Sequence, residues 1–237
     1  MTPLFAHRRA AGVVLADVLA PRLAEVAARV AARPEPPDAP AGSRPAPPLV
    51  LALPRGGVPV AAEVARKLDL PLEVLVVRKI GMPGRPELAL GALGSGGARY
   101  LDAALMERLG VTAAEAAEVV AAESAELARR EEMYRAGRRP LDLRRRVVVL
   151  VDDGVATGAT MRAAALAVRG QSVAAVVAAA PVGPAGAAGR LADVCDVVVV
   201  ARTPPAFGSV GAHYRDFSQT SDEEVRAVLA DVGGERH

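Results

Sequence analysis

The sequence predicts an α/β protein: a Rossmann-like parallel sheet flanked by helices, with a small accessory lobe. Three observations carry that expectation. Strand-like apolar runs alternate with helical segments from Leu49 to Ala201, and right-handed crossovers turn such an alternation into one parallel sheet. The run from Val147 to Val151, VVVLV, is apolar at every position, as a strand covered on both faces must be. The 237 residues are 51% hydrophobic and 24% charged, which suits a single domain over residues 1–237 with a sizeable core and a small accessory lobe.

Charge and composition narrow the function classes. A net charge of +2 is too even to predict a nucleic-acid partner. Lysine occurs only at Lys67 and Lys79, so arginine carries most of the positive charge and a single arginine is a weak functional signal. The lone cysteine, Cys195, rules out an internal disulfide and a cysteine-based metal site, and reads as a small apolar filler. Arg8 and Arg9 precede an apolar stretch in the manner of an export signal, but Asp17 interrupts it and Arg22 soon follows. No run approaches the roughly 18 apolar residues of a membrane span, so a cytoplasmic location without membrane attachment is expected.

The elements follow in order. A helix from about His7 to Val30 carries a stripe of Leu15, Leu19, Leu23, Val26 and Val30, kinked or restarted at Pro21. Residues 33–48, RPEPPDAPAGSRPAPP, lack large apolar side chains and read as a disordered or extended insert. Leu49 to Leu53 is a short buried strand, and PRGGVP leads from it to a helix from Val60 to Leu68. The two glycines let the backbone come close to an anion, with Arg55 beside them. Leu72 to Val77 is the next strand. Arg78 and Lys79 at its carboxyl end point into the crevice where α/β sheets bind ligands, or else form a solvated strand end.

Residues 81–97 are too rich in glycine and proline for a helix and form a loose hairpin with Arg85 and Glu87 as its charged members. Thr112 and Glu115 make a capping box for a helix to about Ala136, where Gly137 ends it. Its pairs Glu126 with Arg130 and Glu131 with Arg135 mark a solvated face, which packs across the core or meets a second copy. Strands from Val173 to Ala180 and from Val197 to Ala201 flank a helix around residues 185–192. The tail gathers Phe207, His213, Tyr214 and Phe217 before Ser221 caps a last helix that ends at Gly233.

The loop after VVVLV is the chemical centre. Asp152 and Asp153 sit where the strand leaves the sheet, Gly154 permits a sharp turn, and Thr157, Gly158 and Thr160 open a helix. Backbone N–H groups, two hydroxyls and a positive helix end suit a phosphate. Two carboxylates beside a phosphate need a task of their own, such as accepting from vicinal hydroxyls or holding a solvated Mg²⁺. A sugar phosphate meets both demands. A P-loop is excluded, because no G-x-x-x-x-G-K-[ST] occurs.

The segment D-D-G-V-A-T-G-A-T, residues 152–160, resembles the phosphoribosyl pyrophosphate (PRPP) loop of the type I phosphoribosyltransferases, and R-G-G at residues 55–57 matches their pyrophosphate loop in the expected order. The resemblance covers about Leu49 to Phe217. It implies that Asp152 and Asp153 bind the ribose hydroxyls, and that Ala156, Thr157, Gly158, Ala159 and Thr160 bind the 5′-phosphate. Arg55, Gly56 and Gly57, joined by Arg78 and Lys79, would bind pyrophosphate. Residues 81–97 would be a mobile loop bearing Arg85 and Glu87, with Glu87 a candidate general base. Residues 202–220 would form the hood, where Phe207 or Tyr214 stacks on a base.

Mg²⁺ would be held mainly through PRPP, with Asp152 and Asp153 as its protein ligands. The implied reaction moves the 5-phosphoribosyl group of PRPP to a nitrogen nucleophile, a nucleobase in nucleotide salvage, by an enzyme expected to be a homodimer. Ala156 stands where the 6-oxopurine enzymes carry a further aspartate, which argues against a hypoxanthine-guanine enzyme of the usual kind. The alternatives are a PRPP-sensing regulator without turnover and a subunit kept for assembly. Against them stand two intact anion loops and the lack of a recognisable helix-turn-helix or basic stripe.

Overall fold

The structure is a computed structural model and describes residues 3–33, 46–135 and 141–233, with the side chains of Pro86 and Glu87 outside that description. Most of the Pro-rich insert and the helix stop expected at Gly137 lie outside the described residues. Five parallel strands form the main sheet: β1 (Leu49–Ala52), β2 (Leu72–Val74), β6 (Val147–Val151), β7 (Ala175–Val182) and β8 (Val197–Arg202). Their order across the sheet is β2-β1-β6-β7-β8. Every residue of β1, β6 and β7 is buried, as unbroken apolar runs in a doubly covered sheet require.

One face is covered by α1 (Arg8–Ala31) and α2 (Gly57–Leu68), whose Leu15, Leu19, Val60 and Val64 join Val149 and Val177 in one core. The opposite face is covered by α5 (Ala159–Arg169) and α6 (Ala187–Leu191), with Met161, Ala165 and Leu191 against Leu51 and Leu150. Cys195 is buried in that second core, where burial pushes its thiol up to about 12. Pro21 lies inside α1, which runs through it as one helix. At Gly12 a Cβ would come to 2.6 Å of the Val60 carbonyl oxygen, so α1 and α2 cross with only a hydrogen between them.

A second, antiparallel sheet of three strands is built from β3 (Val77–Met82), β4 (Arg85–Gly94) and β5 (Ala98–Leu101). This corrects the reading of Leu72 to Val77 as one strand ending in a cationic pair. Leu75 and Val76 carry the chain from one sheet to the other: the Leu75 N–H donates to Ala52, whereas Ser95 takes both polar groups of Val76. Arg78 and Lys79 therefore lie inside β3, opposite Leu93 and Ala92. The expected loose hairpin is a regular one with register shifts around Gly81, extended by β5.

The short helix α3 (Ala103–Leu109), which the periodicity did not predict, is capped by Asp102. It leads to α4 (Ala113–Arg135). The capping box at Thr112 and Glu115 is present, with its reciprocal backbone bonds at 3.2 and 2.9 Å. The final helix α7 (Asp222–Gly233) has the same device at Ser221 and Glu224. Among the described residues no helix is long and apolar enough to cross a membrane.

Candidate functional site

The site forms where the inner strands β1 and β6, neighbours in register from Leu49 and Val148 to Ala52 and Val151, deliver their loops at the carboxyl end of the sheet. Close packing locks the two loops together. A Cβ on Gly57 would lie 2.6 Å from the Val151 carbonyl oxygen and 3.0 Å from Cα of Asp152, and one on Gly56 would overlap the Asp153 carboxylate. Glycine is required here by space, since neither residue has a positive φ. The Pro54–Arg55 peptide between β1 and this turn is cis.

The two aspartates differ in surroundings. Asp152 turns a carboxylate oxygen back to the Asp153 N–H at 2.8 Å, and burial, reinforced by the charge of Asp153, pushes it up to about 8. Asp153 is raised too, again chiefly by burial, but the Arg8 guanidinium opposes that shift. Nε of Arg8 donates to the Asp153 carboxylate at 2.8 Å with both side chains largely covered. The same guanidinium lies 4.0 Å over the Phe217 ring and donates to the Ser218 carbonyl. On the other side of Asp153, Tyr214 donates its hydroxyl to the backbone carbonyl at 2.6 Å.

Beyond the carboxylates the chain wraps a cleft of about 140 Å³, lined by Asp152, residues 154–161 and Val210. Val155 and Gly158 are its buried anchors, while Ala156, Thr157, Ala159 and Thr160 are exposed toward it. Val155 is tied to β7 through Val182, and Arg190 holds the Ala156 carbonyl at 3.0 Å. Gly158, at φ +86°, starts α5 with no side-chain cap. The positive end of that helix and its N–H groups are thus left to an anion, with only Ala159 N–H turned to the Thr157 hydroxyl at 3.3 Å.

The structure brings together Arg55, Gly56, Gly57, Asp152, Asp153 and residues 156–160, and the other expected residues have surroundings of their own. Arg78 donates to Glu123 of α4 at 2.6 Å. Lys79 is exposed on β3, and Arg85 is exposed beside the β3–β4 turn. Glu87 lies on β4 with its side chain outside the described residues. Tyr214 is corrected as a base-stacking candidate: it is buried, its ring is packed by Phe5 and Phe217 at 5.4 and 5.1 Å, and its hydroxyl serves Asp153. Phe207 is half-buried and stacked on the His213 ring at 5.4 Å.

Three residues of the site escape a reading of the sequence. Arg8 reads only as part of an export-like N-terminus, Val210 is an ordinary aliphatic in a loop, and Arg190 is one of many arginines. For metal binding, no cluster of three or more His, Cys, Asp or Glu side chains occurs among the described residues. The two carboxylates alone fit a cation whose remaining ligands come from a bound phosphate compound and water.

A family model described as the phosphoribosyl transferase domain matches residues 43–214. Two Mycobacterium tuberculosis proteins, of strains H37Rv and CDC 1551 and each provisionally named a phosphoribosyl transferase, are 49% identical over 181 residues. Those residues are 76% of this chain and 41% of each relative, so the chain spans about two fifths of their length. Among solved structures, that of the protein TT1426 from Thermus thermophilus is 40% identical, with a TM-score of 0.79 over 98% of this chain and 99% of that one. With the family match covering most of its length, the chain belongs to the phosphoribosyl transferase domain family.

Proposed function

We propose that the protein is a PRPP-dependent phosphoribosyltransferase that passes the 5-phosphoribosyl group to a nitrogen nucleophile, a nucleobase by preference, and releases pyrophosphate. The observation that carries this reading is the contact between the two loops: a glycine turn for one anion abuts a carboxylate pair, and the pair opens onto a second anion cradle. A sugar bearing phosphates at both ends matches that order. Asp152 and Asp153 accept from the ribose hydroxyls, residues 156–160 take the 5′-phosphate, and Arg55, Gly56 and Gly57 take the pyrophosphate. When bound with PRPP, Mg²⁺ supplies charge neutralisation at the leaving group.

The C1–O bond to pyrophosphate breaks as the acceptor nitrogen bonds to C1, the electron pair leaves with pyrophosphate, and the proton of the acceptor N–H passes to water. The Gly56 N–H and the Arg55 guanidinium stabilise the negative charge gathering there, the Gly57 N–H being held by the Leu53 carbonyl at 3.1 Å. Of the two stacking candidates, Phe207 is the one we assign to the base, because its ring is half-buried whereas Tyr214 is buried and holds the Asp153 carbonyl.

Pyrophosphate release from Mg-PRPP, measured against a panel of purine and pyrimidine bases, tests the reading. Release with one base, lost in an Asp152→Asn/Asp153→Asn variant, is the expected outcome and names the acceptor. Tight PRPP binding without release from any base would favour a sensor. No binding of PRPP at all would overturn the assignment.

A further inference from the structure

A second cleft, of about 240 Å³, opens between α4 and the start of α7 and is shared with the glycine turn. Pro54 and Arg55 form one wall; Arg129, Arg130 and Tyr134 form the other, with Asp222 at the junction. Three guanidinium groups thus line a cleft with a single carboxylate. That carboxylate is already engaged, by the Tyr134 hydroxyl and by Arg55 at 3.7 Å. In the sequence this face of α4 reads only as solvated surface.

The cleft continues the row already described. The 140 Å³ cradle adjoins Asp152, the aspartates abut Gly57 and Gly56, and the residues just before those glycines line the second cleft. We propose that this cleft takes the pyrophosphate end of PRPP, with Arg129 and Arg130 of α4 as binding residues beside Arg55. The inference rests on the donor reading above.

Guanidinium forks suit a ligand with paired phosphate oxygens, each able to accept two parallel N–H bonds. Both forks rest on Glu126, Arg129 at 2.9 and 3.0 Å and Arg130 at 2.7 Å. Exposed pairs three and four residues apart on a helix hold weakly, so a more highly charged phosphate displaces Glu126. The helix itself is firmly seated: Leu127 and Tyr134 enter the core, and Arg135 is buried against Glu73 of β2. Arg129 and Arg130 line the cleft itself, whereas Arg78 of β3 is taken by Glu123.

Calorimetric titration of PRPP and, separately, of ribose 5-phosphate in Mg²⁺ buffer tests this with an Arg129→Ala/Arg130→Ala variant. Both arginines are exposed, and a matching thermal melt confirms that the variant is folded. The expected result is a loss of PRPP affinity of about tenfold or more, since charge-assisted bonds to two phosphates are removed. Affinity for ribose 5-phosphate, which lacks the pyrophosphate, stays as in the parent. A variant that binds both ligands like the parent, or loses both alike, overturns the inference. A parent that binds neither ligand points instead to failure of the underlying donor reading.

Discussion

At the scale of single residues, the fold disfavours the charged form of both members of the aspartate pair. Asp152 has an ordinary value of 3.8 and is pushed up to about 8 in the fold, first by burial and then by Asp153. A folded value above the unfolded one means the native state holds the proton more tightly. The associated stability is complete below about pH 4 and is lost as pH rises through 8. Asp152→Asn should therefore melt higher than the parent at pH 9, by on the order of 2 kcal/mol, with the gain vanishing near pH 4. Thermal melts of the two ligand-free proteins across that range measure it; a variant no more stable at pH 9 would contradict the burial assigned to this carboxylate. The aspartates were legible because two adjacent acids after a buried strand are unusual. Arg8 was not, because it pairs with Asp153 across 145 positions, and no local pattern distinguishes it among so many arginines.

At the scale of elements, the strands of the main sheet were legible from unbroken apolar runs, and both loops from their glycines. The second sheet was only partly so. Residues 77–101 alternate imperfectly, and what makes β5 a strand is tertiary: Ala92 and Ala98 pack on Ala167 of α5. The N-terminus of α2 also lies three residues ahead of its expected place, since glycine and proline at its start look like a loop although proline suits a first helical turn. Gly57 at that start contrasts with Gly189 of α6. Gly57→Ala drives a methyl group against the Val151 carbonyl and should cost about 1–3 kcal/mol of stability, with PRPP affinity falling as the loops separate. Gly189→Ala, in α6 with open space around it, should be neutral or stabilising by about 0.4–1 kcal/mol. Urea unfolding of both variants, with PRPP titrations, checks the pair, and equal effects at the two positions would mean that loop contact is not what excludes a side chain at Gly57.

For the whole molecule, the site is closed by the meeting of segments from the two ends of the described fold. Leu4 and Phe5 donate backbone bonds to the His213 carbonyl, and Arg215 and Asp216 return bonds to Phe5 and Ala6. Phe5 then packs on Tyr214, Tyr214 holds the Asp153 carbonyl, and Arg8, at the start of the chain's first helix, holds the Asp153 carboxylate. The segment before α1 is thus tied by a clasp to Asp153, the residue proposed for the ribose. Phe5→Ala should remove about 3–5 kcal/mol of stability, the usual cost of deleting a buried phenyl ring, and should also weaken PRPP binding because Tyr214 loses its support. Leu23→Ala supplies the control. Leu23 is buried on the same helix, about 22 Å from Arg8 at 1.5 Å per residue, and its truncation costs a comparable ~2–5 kcal/mol without touching the clasp. Denaturant melts and PRPP titrations on both variants separate the effects. Weaker PRPP binding in Phe5→Ala alone, measured where both proteins remain folded, is the expected result; equal affinity in the two would show that the clasp stabilises the fold without shaping the site.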